Sequence, residues 1–450
     1  MHTRIPPTRP VIAIIGSTGT GKSQLAIELA TRFKGEIINC DAVQMYQGLP
    51  IITNKVTTEE QHGIPHHLLG CIGLEEPTWT VGQFVPHAMA IIEQIRGRGR
   101  LPILVGGTHY YIQSLLVKDS IVGNDQTGQP ELLDPALDQP TEVLLQKLRE
   151  VDPIMAERWH PNERRKIQRS LEIWLRTGTK ASDIYAAQKE PPNASPSPSN
   201  ITSLSSDDES PLRYEALLFW MYTDKDTLRA RLDERVHQMV SAGLVSEVES
   251  MHDFRNQQEL QGKEVDVTRG IWVSIGFKEF AEYRAAIAAG RTGPDVQKLK
   301  DEAIMRTQSA TKQYAKRQIR WIEYKFLNAM VRSKAKHNIF VLNSSLTTAW
   351  HDCVRKPAEV VTEMFLGASS VLPEASEIFE QSQELLTPKG EDLSHSRHRW
   401  QKRTCDNCRI TATTTEEWEK HIGSNRHRKV LAGIAKRQRL ETERGLNISL

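Results

Sequence analysis

The sequence predicts an α/β fold: a parallel sheet with helices on both faces, built around a phosphate-binding loop, interrupted by a helical insertion and followed by a Cys2His2 zinc finger. Three observations carry this expectation. Short apolar runs alternate with helical patterns over the first 110 residues and return after residue 212. The octapeptide Gly16-Ser17-Thr18-Gly19-Thr20-Gly21-Lys22-Ser23 fills every position of G-x-x-x-x-G-K-[ST]. Cys405, Cys408, His421 and His427 stand at zinc-ligand spacing in a basic C-terminal segment.

The elements follow in order. Val11 to Ile15 is an apolar run closed by Gly16, which suits a strand buried on both faces. Ser23 to Phe33 carries Leu25, Ile27, Leu29, Ala30 and Phe33 at mostly helical spacing. Glu36 to Asn39 reads as a second strand, and Leu101 to Val105, closed by Gly106-Gly107, as a third. Arg213 to Tyr222 and Asn338 to Leu342 complete five strands. Residues 119–140 are polar and irregular, and the Ser/Pro-rich stretch 189–211 cannot bury enough surface to order itself. Between them, Leu144, Leu145, Leu148 and Val151, then Ile167, Leu171, Ile173 and Trp174, mark a helical insertion. The expected domains are therefore 1–118 and 212–366 for the two parts of the core, 119–211 for the insertion, 367–396 for a polar linker, and 397–450 for the finger and basic tail.

Composition limits the function classes. The chain has 450 residues, 38% apolar and 25% charged, which is globular. Its net charge is only +2 (58 basic minus 56 acidic), so a polyanionic partner must meet a local patch. Residues 397–444 supply one, with 13 Lys or Arg against 6 Asp or Glu. No apolar run approaches the ~20 residues a bilayer needs, so no membrane partner is expected. Five cysteines without a secretory signal argue against a disulfide framework, and Cys40, Cys71 and Cys353 are expected as core thiols. The segment Met1 to Pro10 carries Arg4 and Arg9 and no acid, yet is short for a transit peptide. A cytoplasmic monomer is expected, with mitochondrial and nuclear pools left open by this segment and by Lys436-Arg437-Gln438-Arg439.

In the phosphate loop, Gly16, Gly19 and Gly21 let successive backbone N–H groups turn toward phosphate oxygens. Ser17, Thr18 and Thr20 complete the cradle, Lys22 adds a point charge, and Ser23 offers a hydroxyl to Mg²⁺. Asp41, after the second strand, lies where ligands of open α/β sheets collect and can accept a proton from a group facing the phosphate. As a lone residue it fits a helix cap equally well. Thr108, after Gly106-Gly107, is placed similarly, and capping the next helix suits it at least as well. Two chemistries fit so far: phosphoryl transfer to a small hydroxyl acceptor or nucleotide, and a transfer in which diphosphate is the leaving group.

Eight blocks in order resemble the tRNA dimethylallyltransferases, also called tRNA isopentenyltransferases. They are Gly16 to Ser23, Asp41 to Ile51, Pro65-His66-His67-Leu68-Leu69, Leu104 to Tyr111, His160-Pro161-Asn162 running to Arg169, Arg235 to Met239 with Gly243-Leu244, Ile275 to Glu279, and Lys316 to Trp321. With the finger, the chain resembles the eukaryotic, fungal-like branch. The resemblance implies that the exocyclic amine of the adenine 3′ of the tRNA anticodon attacks dimethylallyl diphosphate and releases diphosphate. It implies a proton acceptor in Asp41, charge stabilisation by Lys22, Arg235 and a Mg²⁺ on Ser23, and a role for Thr108 beside them. It also implies tRNA contacts at Asp41, Ala42, Val43, Gln44 and Thr108, and on the basic run Arg165, Lys166, Ile167, Gln168 and Arg169. Departures are Ile52-Thr53-Asn54-Lys55, where Gly-Thr-Ala-Lys is usual, and Phe277 in place of the commoner Tyr. Lys312, Lys316, Arg317 and Arg320 share one helix and form a basic strip able to track phosphates.

Cys405-x₂-Cys408-x₁₂-His421-x₅-His427 fits a structural Zn²⁺ site. Two histidines six apart fall on different sides of an undistorted helix, so the helix must bend or unwind between them. A nucleotide kinase, an adenylate isopentenyltransferase and a nucleic-acid-binding protein with a merely structural loop are the competing classes. The finger and insertion disfavour the first two, and the pairing of the loop with Asp41 disfavours the third.

Overall fold

In the computed structural model, six parallel strands form one sheet in the order β3-β2-β4-β1-β5-β6. They are β1 (Pro10–Gly16), β2 (Gly35–Asn39), β3 (His66–His67), β4 (Leu101–Val105), β5 (Glu215–Tyr222) and β6 (Ile339–Asn343). The structure describes residues 6–118, 135–187, 211–367, 371–389 and 400–446; the Ser/Pro-rich stretch therefore lies almost wholly outside the described residues. Helices α1 (Lys22–Phe33), α2 (Val81–Gly97) and α3 (His109–Leu116) connect the early strands. The insertion follows as α4 (Thr141–Val151), α5 (Pro153–Arg158), α6 (Arg164–Thr177) and α7 (Ala181–Ala187). After β5 come α8 (Lys225–Ala242), α9 (Leu244–Leu260), α10 (Ala281–Ala288) and α11 (Pro294–Trp321), then α12 (Leu327–Arg332) and, past β6, α13 (Lys356–Leu366).

Alternation along β1 explains the layers. Ile12 and Ile14 face one side, where they pack with Leu25 and Leu29 of α1 and Val361 and Phe365 of α13. Val11, Ala13 and Ile15 face the other, against Ile92 of α2, Ile112 of α3 and Phe326. Because both faces are covered, β1 has no polar positions, as a central parallel strand requires. Strand order reverses beside β1, so its carboxyl end is the switch point where ligands of such sheets bind.

The sixth strand, β3, was not among the five expected. Two residues are too few to leave a periodic signal. A buried carboxylate fixes this edge instead: Glu36 accepts from His67 Nε2 at 2.6 Å and from Arg98 Nε and Nη2 at 3.1 and 2.7 Å. The Arg98 hydrogen bond is the main cause that holds its carboxyl below the usual range.

The chain divides into two compact units, Met1–Ile121 with Leu204–Glu391, and Val122–Ser203 with Asp392–Leu450. Part of the expected linker belongs to the first. Residues 371–389 carry the short helices α14 (Ala375–Ile378) and α15 (Ser382–Leu385), Leu386 is buried in the sheet core, and the Phe379 ring lies 6.0 Å from Tyr222. A polar average hid these few apolar anchors.

In the second unit, Leu144, Leu148, Met155, Ile167 and Leu171 make a separate core. Buried Asp152 caps α5 through Met155 N (3.2 Å) and accepts from Ser182 N (2.8 Å), tying α7 to it. The finger comprises antiparallel β7 (Trp400–Thr404) and β8 (Thr411–Thr414), then α16 (Thr415–Ile422) and α17 (Asn425–Leu446). It packs on the insertion, with Lys402 Nζ donating to Ala156 O at 2.6 Å.

Candidate active site and metal centre

The phosphate loop turns directly out of β1. Gly16, Gly19 and Gly21 have φ of 147°, 84° and 84°, conformations that L side chains rarely adopt. A Cβ on Gly21 would also lie 2.7 Å from the Trp350 ring, which Glu28 holds through Nε1 at 3.0 Å. Inside the loop, Lys22 Nζ and Thr20 Oγ1 both donate to Ser17 O, at 2.7 and 2.9 Å. Ser23 is exposed in the first turn of α1, a turn that contains no acid.

Beside the loop, β2 and β4 deliver Asp41 and Thr108. Asp41 Oδ1 accepts from Val43 N at 3.3 Å, so it does cap a short turn. Its carboxyl is nonetheless raised above the usual carboxylate range, chiefly by burial, against the pull of Lys22 and of the Gly107 N–H. Burial lowers Lys22 to about 8, with Asp41 opposing the shift and Arg235 adding to it. The two groups thus sense one another across the site. Thr108 stands at the start of α3 but makes no side-chain cap there. Its Oγ1 accepts instead from Ala42 N at 3.1 Å, tying the end of β4 to the Asp41 segment.

Arg235 comes from α8, whose Leu228, Leu232 and Val236 are buried and whose N-terminus is capped by Asp224. It turns inward and donates from Nη1 to Thr18 Oγ1 at 2.6 Å rather than pairing on its own helix. Burial lowers its guanidinium pKa. Four expected groups therefore converge: the loop, Lys22, Asp41 and Arg235.

Three neighbours have no role in the sequence reading: His109 and Gln318, which lie within motif blocks, and Tyr314, which lies outside them. His109 Nε2 faces both Gly16 N and Gly16 O, at 3.3 and 3.1 Å, and burial pushes its pKa down to about 3, so it stays neutral. Gln318 joins the loop to Gly107, and Tyr314 lies beside both with its phenol raised by burial. A single buried polar residue on a helix leaves no pattern; only the block it belongs to could have flagged it.

Gln44 donates from Nε2 to Thr53 O and Asn54 O, at 3.2 and 2.8 Å. Asn54 has φ 50°, a left-handed position that asparagine tolerates, which suits it where alanine is usual. Glu247 supports the same loop by accepting from Ile51 N and Ile52 N at 2.9 and 2.7 Å.

The basic run on α6 differs from expectation. Ile167 is fully buried in the insertion core, so its side chain presents no surface for RNA. Lys166 pairs with Glu163, Arg169 with Glu172 at 2.8 Å, and Gln168 donates to Leu137 O at 3.0 Å. Arg165 is exposed. On α11, Lys312 is neutralised by Asp233 at 2.6 Å, leaving Lys316, Arg317 and Arg320 exposed. Cys40 is buried, as expected, whereas Cys71 and Cys353 are exposed rather than core thiols.

In the finger, one ligand atom from each of Cys405, Cys408, His421 and His427 lies within 4.8 Å of the others. His421 Nε2 is buried without a hydrogen-bond partner, which suits a metal ligand. The helix breaks between the histidines as the spacing requires: α16 ends at Ile422, Gly423 follows, and Ser424 Oγ accepts from His427 N at 3.1 Å. The donor set fits Zn²⁺. Among the described residues no helix is long and apolar enough to cross a membrane.

Comparison with known proteins agrees with this geometry. The family model "IPP transferase" matches residues 44–325, and "Isopentenyl transferase" matches residues 9–75. The chain is 34% identical to the tRNA dimethylallyltransferase of Schizosaccharomyces pombe, covering 93% of this chain and 94% of that one. It is 33% identical to the human enzyme of the same name, covering 97% and 88%. A crystal structure described as eukaryotic dimethylallyltransferase acting on tRNA superposes with TM-score 0.73 at 30% identity, over 97% of this chain and all of that one. The chain belongs to the IPP transferase family, that of the tRNA dimethylallyltransferases, and is a transferase.

Proposed function

We propose that this transferase moves a dimethylallyl group from dimethylallyl diphosphate to the exocyclic amine of the adenine 3′ of the anticodon in tRNA. The observation that carries the reading is Asp41 standing next to Lys22 and Gly107, at the end of β2 and across from the phosphate loop. The amine nitrogen bonds to the first carbon of the prenyl chain while the carbon–oxygen bond to diphosphate breaks. An aromatic amine is a weak nucleophile, so Asp41 orients it and takes its proton. A carboxyl raised above the usual range is a stronger base than a free one.

Charge gathers on the departing diphosphate. Lys22, Arg235 and the loop from Gly16 to Ser23 face that charge in a preorganised, partly dry site. The Ser23 hydroxyl, exposed in the first turn of α1, would hold a Mg²⁺, which would supply further charge neutralisation. Thr108 keeps the Asp41 segment in register with β4, and Gln44 holds the adjoining loop. The target base must be swung out of its stack to reach Asp41. Lys316, Arg317 and Arg320, with Arg165, suit phosphates of the stem-loop. The zinc finger adds local positive charge for the same polyanion.

The test is to incubate the protein with radiolabelled dimethylallyl diphosphate, Mg²⁺, bulk tRNA and AMP. Label in tRNA supports the reading. Label in AMP alone makes the protein an adenylate prenyltransferase, and no label in either overturns prenyl transfer.

A further inference from the structure

Gln318 lies in the last turn of α11 and is 5% exposed. Its Oε1 accepts from Thr18 N in the phosphate loop at 2.8 Å, and its Nε2 donates to Gly107 O at 3.1 Å. One carboxamide thus spans from residue 18 to residue 107. Its orientation is fixed, because Thr18 N needs an acceptor and Gly107 O needs a donor. Gly107 makes room for it: a Cβ there would lie 2.4 Å from Gln318 Nε2 and 2.8 Å from Asp41 Oδ2.

Packing of α11 on α8 holds the residue in place. Ala315 is buried with Leu228 and Leu232, Lys312 pairs with Asp233, and Gln308 Nε2 donates to Asp233 O at 3.2 Å. The same α8 sends Arg235 to Thr18 Oγ1. Thr18 is therefore gripped at its backbone by α11 and at its side chain by α8. Gly107, at the other end of the Gln318 bridge, lies against the Asp41 carboxyl, whose pKa its N–H helps to lower.

We infer that Gln318 is a positioning residue that couples the diphosphate side of the site to the nucleobase side, so that the two substrates bind cooperatively. The inference rests on the proposed function. Neither loop can move without breaking the bond that Gln318 makes to it. A base seated against Asp41 restrains Gly107, hence Gln318, hence the Thr18 amide and the loop. Coupling is reciprocal, so diphosphate must favour RNA by the same factor. Gln318 touches neither the reacting amine nor the carbon in this scheme.

The experiment measures the affinity of inorganic pyrophosphate with Mg²⁺ by calorimetry, with and without an anticodon stem-loop RNA, in wild type, Gln318→Met and Gln318→Glu. Methionine keeps the shape and loses both bonds. Glutamate keeps the acceptor for Thr18 N and loses the donor to Gly107 O, so it serves if the methionine variant does not fold. Wild type should show roughly fivefold or greater enhancement by RNA, the lower end of usual coupling. Both variants should fall to within about twofold, with each substrate's separate affinity little changed in Gln318→Met and the affinity for pyrophosphate alone weakened in Gln318→Glu by the added carboxylate. Pyrophosphate binding with no coupling in wild type, or with full coupling in a folded variant, overturns the inference alone. A wild type that does not bind pyrophosphate overturns the site reading and the inference together.

Discussion

Raising the pH through 8 should lower kcat/KM for dimethylallyl diphosphate about tenfold per pH unit, because Lys22 loses its proton there. Its ammonium sits near 8 rather than 10.5, lowered chiefly by burial. One unit above that value about a tenth of the lysines remain charged, and each pKa unit corresponds to about 1.36 kcal/mol. Phosphate groups finish ionising near ~6, so the substrate does not move in this range. In kcat the limb should shift upward, since bound diphosphate favours the charged lysine. The fall in activity is not unfolding. A lysine whose folded pKa lies below its unfolded one binds fewer protons when folded, so its contribution to stability rises with pH between about 8 and 10.5. The assay is a kcat/KM profile from pH 6 to 10 with thermal melts at each point. Lys55 needs a control, because burial lowers it to about 8 as well. Lys22→Met should be slow and lack the limb, and Lys55→Met should keep it. An alkaline limb unchanged in Lys22→Met, or abolished in Lys55→Met, refutes the assignment.

Three further outcomes are expected. Asp41→Asn should reduce turnover by about 10²–10⁴-fold while tRNA binding, followed by filter retention, stays within a few-fold. Arg235→Ala, which removes the donor to Thr18 Oγ1, should cost about 3 kcal/mol in kcat/KM for the diphosphate substrate; wild-type kinetics would return it to an ordinary helix arginine. Chelation of Zn²⁺, or Cys405→Ser, should melt the finger by circular dichroism, and deleting residues 397–450 should flatten the slope of log tRNA affinity against log salt by about 0.7–0.9 per lost phosphate contact, with saturated turnover nearly unchanged.

Much of this was legible in the sequence, for identifiable reasons. β1 and β4 are buried on both faces, so they read as uninterrupted apolar runs. The phosphate loop is written in residues that its positive φ values demand. The finger is written in two Cys and two His at metal-ligand spacing, a spacing that forces a helix break. What could not be read depends on contacts across long separations. β3 is two residues held by pairing to β2 and by the Glu36 ion cluster. Leu386 looks like part of a polar linker until it meets the sheet core. Lys312, Lys166 and Arg169 read as free charge, but acids on α8, before α6 and within α6 respectively neutralise them. Ile167 belongs to two patterns in the sequence, the basic run and the apolar stripe with Leu171 and Ile173, and its burial shows that the stripe decides its place. Gln318 is one polar residue in a 28-residue helix, significant only because of what lies 211 and 300 positions away.

The contact between Lys402 and Ala156 joins segments 246 residues apart. A ribosome delivers the insertion well before the finger, at roughly 5–20 residues per second. The helices from Thr141 to Ala187 have their own apolar core and can settle first. The finger can dock only after the later strands have been made. If the Cys405, Cys408, His421 and His427 cluster takes up Zn²⁺, metal supply during synthesis would set when this unit closes, and a chain left without the ion would carry an uncovered helix, α5.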